Sequence, residues 1–139
     1  MTHRHAFRVY YEDTDAGGVV YHARYLAFAE RARTEALRDM AVPHQAMLDE
    51  TGLLFMVRGV EMDYQAPARL DDELVVDTDV IEVGAASCRL RQGFLVAGRA
   101  IGVLHVRLAC VRPVDGRPSR IPARWHAALT RELGGGSSG

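Results

Sequence analysis

The sequence predicts an α+β fold in which five antiparallel strands wrap around one long helix. Apolar residues recur at steps of three and four from about His22 to Met40, which is the period of an amphipathic helix. Before and after this segment, apolar and polar residues alternate over short stretches that Gly, Pro or Asp residues separate, as is typical of antiparallel strands. Because the helix and the sheet each have one apolar face, packing them together buries both.

The elements of the N-terminal half follow from local patterns. A first strand is predicted from His3 to Tyr11, where the alternation ends in an acid-rich turn. Gly17 and Gly18 then break the pattern before the long helix begins. Pro43 ends that helix, and His44 to Glu50 is predicted to form a short second helix.

The C-terminal half is predicted to be mostly strand. Alternation between turns places four further strands at residues 60–64, 74–80, 88–96 and 100–111. The last of them is almost continuously apolar, which indicates a central position in the sheet. A helix from Ala123 to Leu133 closes a single predicted domain, residues 1–133, and the Gly/Ser segment 134–139 is predicted to be a flexible tail.

The composition excludes several classes of protein. The chain has 139 residues, 48% of them apolar, and a formal net charge of −1, so it lacks the basic footprint of a nucleic-acid binder. The N-terminal segment has no apolar stretch of the kind a signal peptide needs, and no apolar run is long enough to cross a bilayer. We therefore expect a cytoplasmic protein with no transmembrane segment and no nucleic-acid partner.

The reactive side chains are also limited. Cys88 and Cys110 are 22 residues apart with no CxxC pattern, which predicts two buried thiols and neither a metal site nor a bound cofactor. All 17 basic residues are Arg, and the sequence contains no Asn, so a Schiff-base lysine, a P-loop lysine and a Cys-His-Asn triad are excluded. None of the serines lies in a GxSxG motif, which disfavours a serine hydrolase.

The chemistry is predicted to lie in the turn before the long helix. This turn carries two carboxylates, Asp13 and Asp15, and Asp15 is the better candidate because a glycine pair follows it and allows close approach of a ligand. A helix N-terminus presents unpaired backbone N–H groups, which can stabilise a carbonyl oxygen that gains negative charge. The pattern favours acyl transfer, with Gly17, Gly18, Val19 and Tyr21 expected to contact the substrate.

The string YYEDTDAGGVVYHARYL, followed by ERAR, resembles the hot-dog acyl-CoA thioesterases of the 4-hydroxybenzoyl-CoA thioesterase type. Within that group it is most similar to the YbgC-like enzymes associated with the Tol-Pal system. The resemblance runs from about residue 5 to residue 125 and includes YQAPARLDDEL at 64–74 and RPSRIP at 117–122.

The resemblance implies a catalytic carboxylate at Asp15, with Tyr11 and His22 as its catalytic neighbours. It also implies that the backbone N–H of His22 polarises the thioester carbonyl. Asp15 either attacks the thioester to form a mixed anhydride or activates water as a general base; the sequence leaves both routes open. The implied assembly is a homodimer or homotetramer with active sites at the subunit interface, acting on acyl-CoA or on an acyl carrier protein.

Arginines are the only side chains, besides a few histidines, that could bind the phosphates of coenzyme A. Arg89 and Arg91, on one face of a predicted strand, are candidates, with Arg117 and Arg120 as further ones; ordinary surface charge is the alternative reading of each.

Three other functions compete with thioester hydrolysis. They are a non-catalytic hot-dog module with an acyl-binding or regulatory role, a hot-dog dehydratase or hydratase, and a phosphatase of the haloacid dehalogenase class. The phosphatase needs a lysine and a longer parallel α/β domain, and the chain has neither.

Overall fold

The computed structural model describes residues 1–136. In chain order the elements are β1 His3–Arg8, α1 Arg24–Asp39, α2 His44–Thr51, β2 Leu54–Tyr64, β3 Glu73–Val83, β4 Ser87–Val96, β5 Arg99–Val111 and α3 Ala123–Gly136. A single 3-10 turn, Tyr11–Asp13, follows β1.

The five strands form one antiparallel sheet in the order β1-β3-β4-β5-β2. The predicted α+β class, with five antiparallel strands and a long helix, is therefore confirmed. β5 lies in the interior of the sheet, as its apolar sequence predicts, while β1 and β2 form the two edges.

The face of the sheet that packs against α1, here called the inner face, carries the core. Phe28, Ala29 and Ala32 of α1 are all 3% exposed or less, and the two alanines let the helix approach the strands closely. The ring of Phe94 on β4 meets the ring of Tyr25 edge-on at 5.5 Å between centroids. These contacts hold the start of α1 against the sheet.

A buried polar contact also joins α1 to the sheet. Gln92 of β4 is fully buried, and its Nε2 donates hydrogen bonds to the carbonyl of Ala29 at 2.9 Å and to the hydroxyl of Thr78 at 3.0 Å. Its Oε1 accepts a hydrogen bond from the Arg33 guanidinium at 3.0 Å. Because buried polar groups destabilise the fold unless they are paired, this network fixes the position of the helix on the sheet.

The ends of several elements differ from the predicted ones. β1 ends at Arg8 rather than Tyr11, because the N–H of Tyr10 turns away from the sheet and donates to Asp13 Oδ2 at 2.9 Å. The long helix begins at Arg24 rather than His22, because the hairpin continues to Val20 and the residues His22 and Ala23 form the turn that follows it.

The C-terminal half differs in the same way. β2 begins at Leu54, not at residue 60, because its first residues are consecutively apolar and give no alternation; a bulge between Val57 and Gly59 also interrupts its register. α3 extends to Gly136 and so includes three glycines that were predicted to lie in the tail. Residues 137–139 of that tail lie outside the described residues.

None of the helices within residues 1–136 is long and apolar enough to cross a membrane.

Candidate active site

The residues between β1 and α1 fold into a short hairpin that projects from the sheet. Thr14 and Val20 pair across it, and the N–H of Asp15 donates to the Val19 carbonyl at 2.9 Å. Gly18 has a positive φ of 78°, which a side chain would disfavour, and its N–H closes the turn on the Asp15 carbonyl at 3.0 Å. The hairpin is attached to the loop between β2 and β3 by an isolated bridge between Val19 and Arg69.

Asp13 anchors this hairpin at its base. The side chain is buried, and Oδ2 accepts the N–H of Tyr10 at 2.9 Å. Oδ1 accepts two bonds from the Arg24 guanidinium, from Nη2 at 2.7 Å and from Nε at 3.1 Å. The Asp13 carbonyl accepts the N–H of Tyr21 at 3.0 Å. One residue therefore joins the end of β1, the returning arm of the hairpin and the start of α1.

Asp15, the other acid of the turn, is exposed at the tip of the hairpin. Its Oδ1 accepts the N–H of Gly17 at 2.8 Å, which orients the carboxylate along its own turn. A Cβ at position 17 would lie 3.2 Å from this oxygen, so glycine there lets the carboxylate adopt this position. The arrangement leaves Asp15 accessible to a ligand and held by the loop backbone.

The turn that leads into α1 has free backbone donors. Within residues 1–136 the N–H groups of His22 and Ala23 make no hydrogen bond. Ala23 occupies the N-cap position and cannot cap the helix with its side chain. Since the helix begins only at Arg24, the N–H of His22 lies in the preceding turn and not in the first helical turn, where the sequence places it.

The aromatic candidates lie at the surface near this turn. The ring of Tyr21 packs on the ring of His22 at 4.4 Å, and both residues are exposed. Tyr11, in the 3-10 turn, is 82% exposed. In the described part of the chain no hydrogen bond joins the side chains of Tyr11, Asp15 and His22, so a single chain presents these groups without assembling them.

Tyr64, which the sequence does not single out, contacts the site directly. Its hydroxyl donates to the His22 carbonyl at 2.9 Å, and its ring packs edge-on against Tyr25 at 5.4 Å. Tyr25 is buried, and its hydroxyl accepts the N–H of Ala68 at 3.0 Å; burial raises the pKa of this phenol. The one sequence signal for Tyr64 was its place in the segment YQAPARLDDEL.

The predicted coenzyme arginines lie away from this loop in a single chain. The side chains of Arg89 and Arg91 are exposed and alternate with buried β4 residues, so they lie on the face of the sheet opposite α1. Arg89 is within 3.7 Å of Glu82. Phe94 contacts Tyr25 at the start of α1, next to the loop. Arg89 is five residues along β4 from Phe94, a separation of roughly 17 Å at strand spacing. Arg117 and Arg120 follow β5 on the segment before α3.

In the part of the chain that the structure describes, the two thiols and the acidic and imidazole groups form no metal site. Cys88 and Cys110 are free and buried, and burial raises the pKa of Cys88 to about 12. Within the described residues no cluster of three or more His, Cys, Asp or Glu side chains is arranged to hold a metal ion.

Comparison with known proteins places the chain in a family. A family model described as the thioesterase-like superfamily matches residues 9–129, which include the hairpin, α1 and strands β2 to β5. The chain belongs to this superfamily. This chain is 46% identical over 122 residues to the acyl-CoA thioesterase YbgC of Haemophilus influenzae, and the match covers 88% of this chain and 90% of that protein. It is also 45% identical over 116 residues to the acyl-CoA thioester hydrolase YbgC of Escherichia coli O6:H1, covering 83% and 86%.

Solved structures of thioesterases have the same fold as this chain. A probable thioesterase from Bartonella henselae has a TM-score of 0.82 and 35% identity, covering 88% of this chain and 100% of that one. A DHNA-CoA thioesterase from Staphylococcus aureus has a TM-score of 0.91 at 18% identity, covering 99% and 94%, and supports the fold alone. The predicted hot-dog fold and the predicted YbgC-like resemblance are both confirmed.

The two acids of the hairpin are expected to respond differently to removal of their charge. Asp13→Asn should lower the free energy of unfolding by about 1–3 kcal/mol, because the amide leaves the Arg24 charge without its buried partner. Asp15→Asn should change it by less than about 0.5 kcal/mol, because that side chain is exposed. Urea denaturation of the wild type and both variants measures these changes. Equal free energies of unfolding for Asp13→Asn and Asp15→Asn would contradict the anchoring role of Asp13.

Proposed function

We propose that this chain hydrolyses acyl-CoA thioesters, with Asp15 as nucleophile or general base. Its homologues named YbgC, at 46% and 45% identity, are acyl-CoA thioester hydrolases by name. The observation that carries the proposal is that one short hairpin holds an exposed carboxylate and leads into a turn whose two backbone N–H groups make no hydrogen bond within residues 1–136. These are the two components that thioester cleavage requires of a protein.

Hydrolysis of the thioester can follow either of two routes. In one, a carboxylate oxygen of Asp15 attacks the carbonyl carbon, the C–S bond breaks, coenzyme A leaves as thiolate, and water then hydrolyses the mixed anhydride. In the other, Asp15 takes a proton from water, whose oxygen attacks the same carbon; the C–S bond then breaks and the proton passes from Asp15 to the leaving thiolate. In both routes the carbonyl oxygen becomes negative, and the N–H of His22 would stabilise it.

The remaining predicted site residues have roles in the same proposal. Gly17, Gly18, Val19 and Tyr21 contact the substrate beside Asp15. The ring of His22 orients the attacking water, and Tyr11, which is exposed in the single chain, closes over the reacting group. The acyl group is carried by coenzyme A or by an acyl carrier protein, and a comparison of hydrolysis rates on matched acyl chains distinguishes the two carriers.

Asp15→Asn should reduce turnover by at least about 10²-fold while the fold persists, because the change keeps the size of the side chain and removes the base or nucleophile. Release of free coenzyme A thiol from a series of acyl-CoA chain lengths is the measurement. The protein's own thiols are buried, so they add no signal while the chain is folded.

Asp13→Asn is the matched control for this experiment, and its loss of turnover should be smaller. Near-normal hydrolysis by Asp15→Asn would refute the catalytic role of Asp15. Binding of acyl-CoA by the wild-type protein with no thiol release would favour the non-catalytic acyl-binding module instead.

We further propose that the protein works as a homodimer or homotetramer with its sites at the subunit interface. β2 is an 11-residue edge strand, and an unpaired edge of that length favours pairing with another chain. Its exposed apolar side chains continue onto α1; they are Leu26, Met56, Val57, Val60 and Tyr64, all at least 40% exposed. A groove of about 530 Å³ runs between α1, α2 and this strand.

The assembly can be tested by light scattering, with Val60→Arg as the disrupting variant. The wild-type mass should be a multiple of the 15.3 kDa chain, and Val60→Arg should shift the protein towards monomer and lower activity, because it puts a charge into an apolar contact. Val114→Arg, on an 87% exposed loop residue, is the control and should do neither. A wild-type protein that is active as a monomer would refute the proposal.

We also propose that Arg89 and Arg91 bind the phosphates of the coenzyme. Because they lie on the outer face of the sheet, they would serve an active site to which a neighbouring subunit contributes. Replacing either by Gln should raise KM for acyl-CoA with little change in kcat, since a contact distant from the thioester is made equally in the ground and transition states. The effect should weaken as salt concentration rises.

The control substrate is a minimal thioester without the nucleotide, on which both variants should match the wild type. Arg112→Gln, an exposed arginine paired with Asp115, is the control variant. An equal loss on both substrates would remove Arg89 and Arg91 from the coenzyme site.

A further inference from the structure

Two successive peptide groups before α1 are held by their carbonyl oxygens. The Tyr21 carbonyl accepts the N–H of Arg24 at 2.8 Å, and the His22 carbonyl accepts the hydroxyl of Tyr64 at 2.9 Å. In a planar trans peptide the C=O and N–H point in opposite directions, so fixing a carbonyl also fixes the N–H of the next residue. The first bond therefore aims the N–H of His22, and the second aims the N–H of Ala23.

The two bonds differ in origin. The bond from Arg24 to Tyr21 is local backbone geometry at the start of the helix. The bond from Tyr64 comes from the end of β2, 42 residues away in the chain, and is the only hydrogen bond from a side chain to the His22 carbonyl in the described residues. Without it, the peptide that carries the Ala23 N–H has no partner to fix its direction.

The position of the Tyr64 hydroxyl is itself determined by buried packing. Its ring rests on Tyr25, which is 3% exposed and which also contacts Phe94 in the core. Tyr64 is nonetheless 47% exposed, so its hydroxyl reaches out of this aromatic cluster to the surface turn. A rigid core thus supports a hydrogen bond made at the edge of the candidate site.

We propose that Tyr64 is a positioning residue for thioester hydrolysis: its hydroxyl holds the His22 carbonyl so that the N–H of Ala23, beside that of His22, points at the thioester oxygen. This inference rests on the proposed function. It adds a second oxyanion donor, Ala23 N–H, and names the side chain that orients it. Tyr64 touches the peptide and not the substrate.

The kinetic effect expected of Tyr64→Phe depends on when the thioester oxygen becomes negatively charged. Backbone donors act on an oxygen that becomes negative only as the reaction proceeds, so their orientation matters more in the transition state than in the bound ground state. Removing an oxyanion donor outright typically costs about 10²- to 10³-fold in rate, and losing only its orientation should cost about tenfold. Tyr64→Phe should therefore lower kcat and leave KM within about twofold.

Tyr25→Phe is the matched control, because the two rings touch each other and each variant removes one hydroxyl while keeping the ring. The Tyr25 hydroxyl accepts the Ala68 N–H and serves the fold. Its loss should lower stability with no separate effect on kcat, whereas Tyr64→Phe should lower kcat with no comparable loss of stability. Unchanged kcat in Tyr64→Phe, or a loss that follows stability in both variants, would overturn the inference.

A spectroscopic measurement tests the orientation directly. In the Asp15→Asn background, the infrared carbonyl stretch of a ¹³C-labelled acyl-CoA should move to lower frequency on binding, because the N–H groups polarise the bond. Adding Tyr64→Phe should reduce that shift, and adding Tyr25→Phe should not. An identical shift in all three proteins would overturn the role of Tyr64.

The outcomes separate this inference from the function on which it rests. If the wild type hydrolyses acyl-CoA, Asp15→Asn does not, and Tyr64→Phe matches the wild type in both rate and carbonyl stretch, only the inference fails. If the wild type releases no thiol from any acyl-CoA, both fail together.

Discussion

The buried carboxylate of Asp13 is the constraint on which the geometry of the site depends. A buried charge is destabilising unless it is paired and hydrogen-bonded, so the contacts of Asp13 with Tyr10 and Arg24 form together with the fold. They fix both ends of the segment that contains Asp15, the glycine turn and the approach to α1. An otherwise exposed loop thereby has a defined position relative to the sheet.

The same ion pair leaves the start of α1 uncapped. An aspartate near a helix N-terminus often accepts N–H groups of the first turn, which stabilises a helix by about 0.5–2 kcal/mol. Here the oxygens of Asp13 are occupied by the Tyr10 N–H and the Arg24 guanidinium, and the cap position is Ala23. The fold forgoes this stabilisation at the place where the proposed reaction needs unpaired donors, as is common for functional sites.

The sequence predicts those parts of the fold that one-sided burial controls. The stripe that contains Phe28, Ala29 and Ala32 and the alternation along the strands follow directly from which face is buried. The ends of β1 and α1 are not predictable in this way, because the turn hydrogen bond from Tyr10 to Asp13 and the Thr14–Val20 hairpin determine them, and neither has a hydrophobic pattern. In the site, the spacing of residues is enough to identify the turn that contains Asp13 and Asp15. Only the structure shows that Asp13 is buried and anchors the hairpin, while Asp15 is exposed. Tyr64 was missed because its bond to His22 spans 42 residues and leaves no local pattern.

The burial of the two thiols has a consequence for the chain's own chemical integrity. Thioesters acylate accessible thiolates and amines without any catalyst, and an acyl-CoA binding protein is exposed to them at high local concentration. Cys88 is buried with a pKa of about 12, Cys110 is buried too, and the sequence contains no lysine. The thiols are thus shielded from stray acyl transfer, and no lysine amine competes for the acyl group.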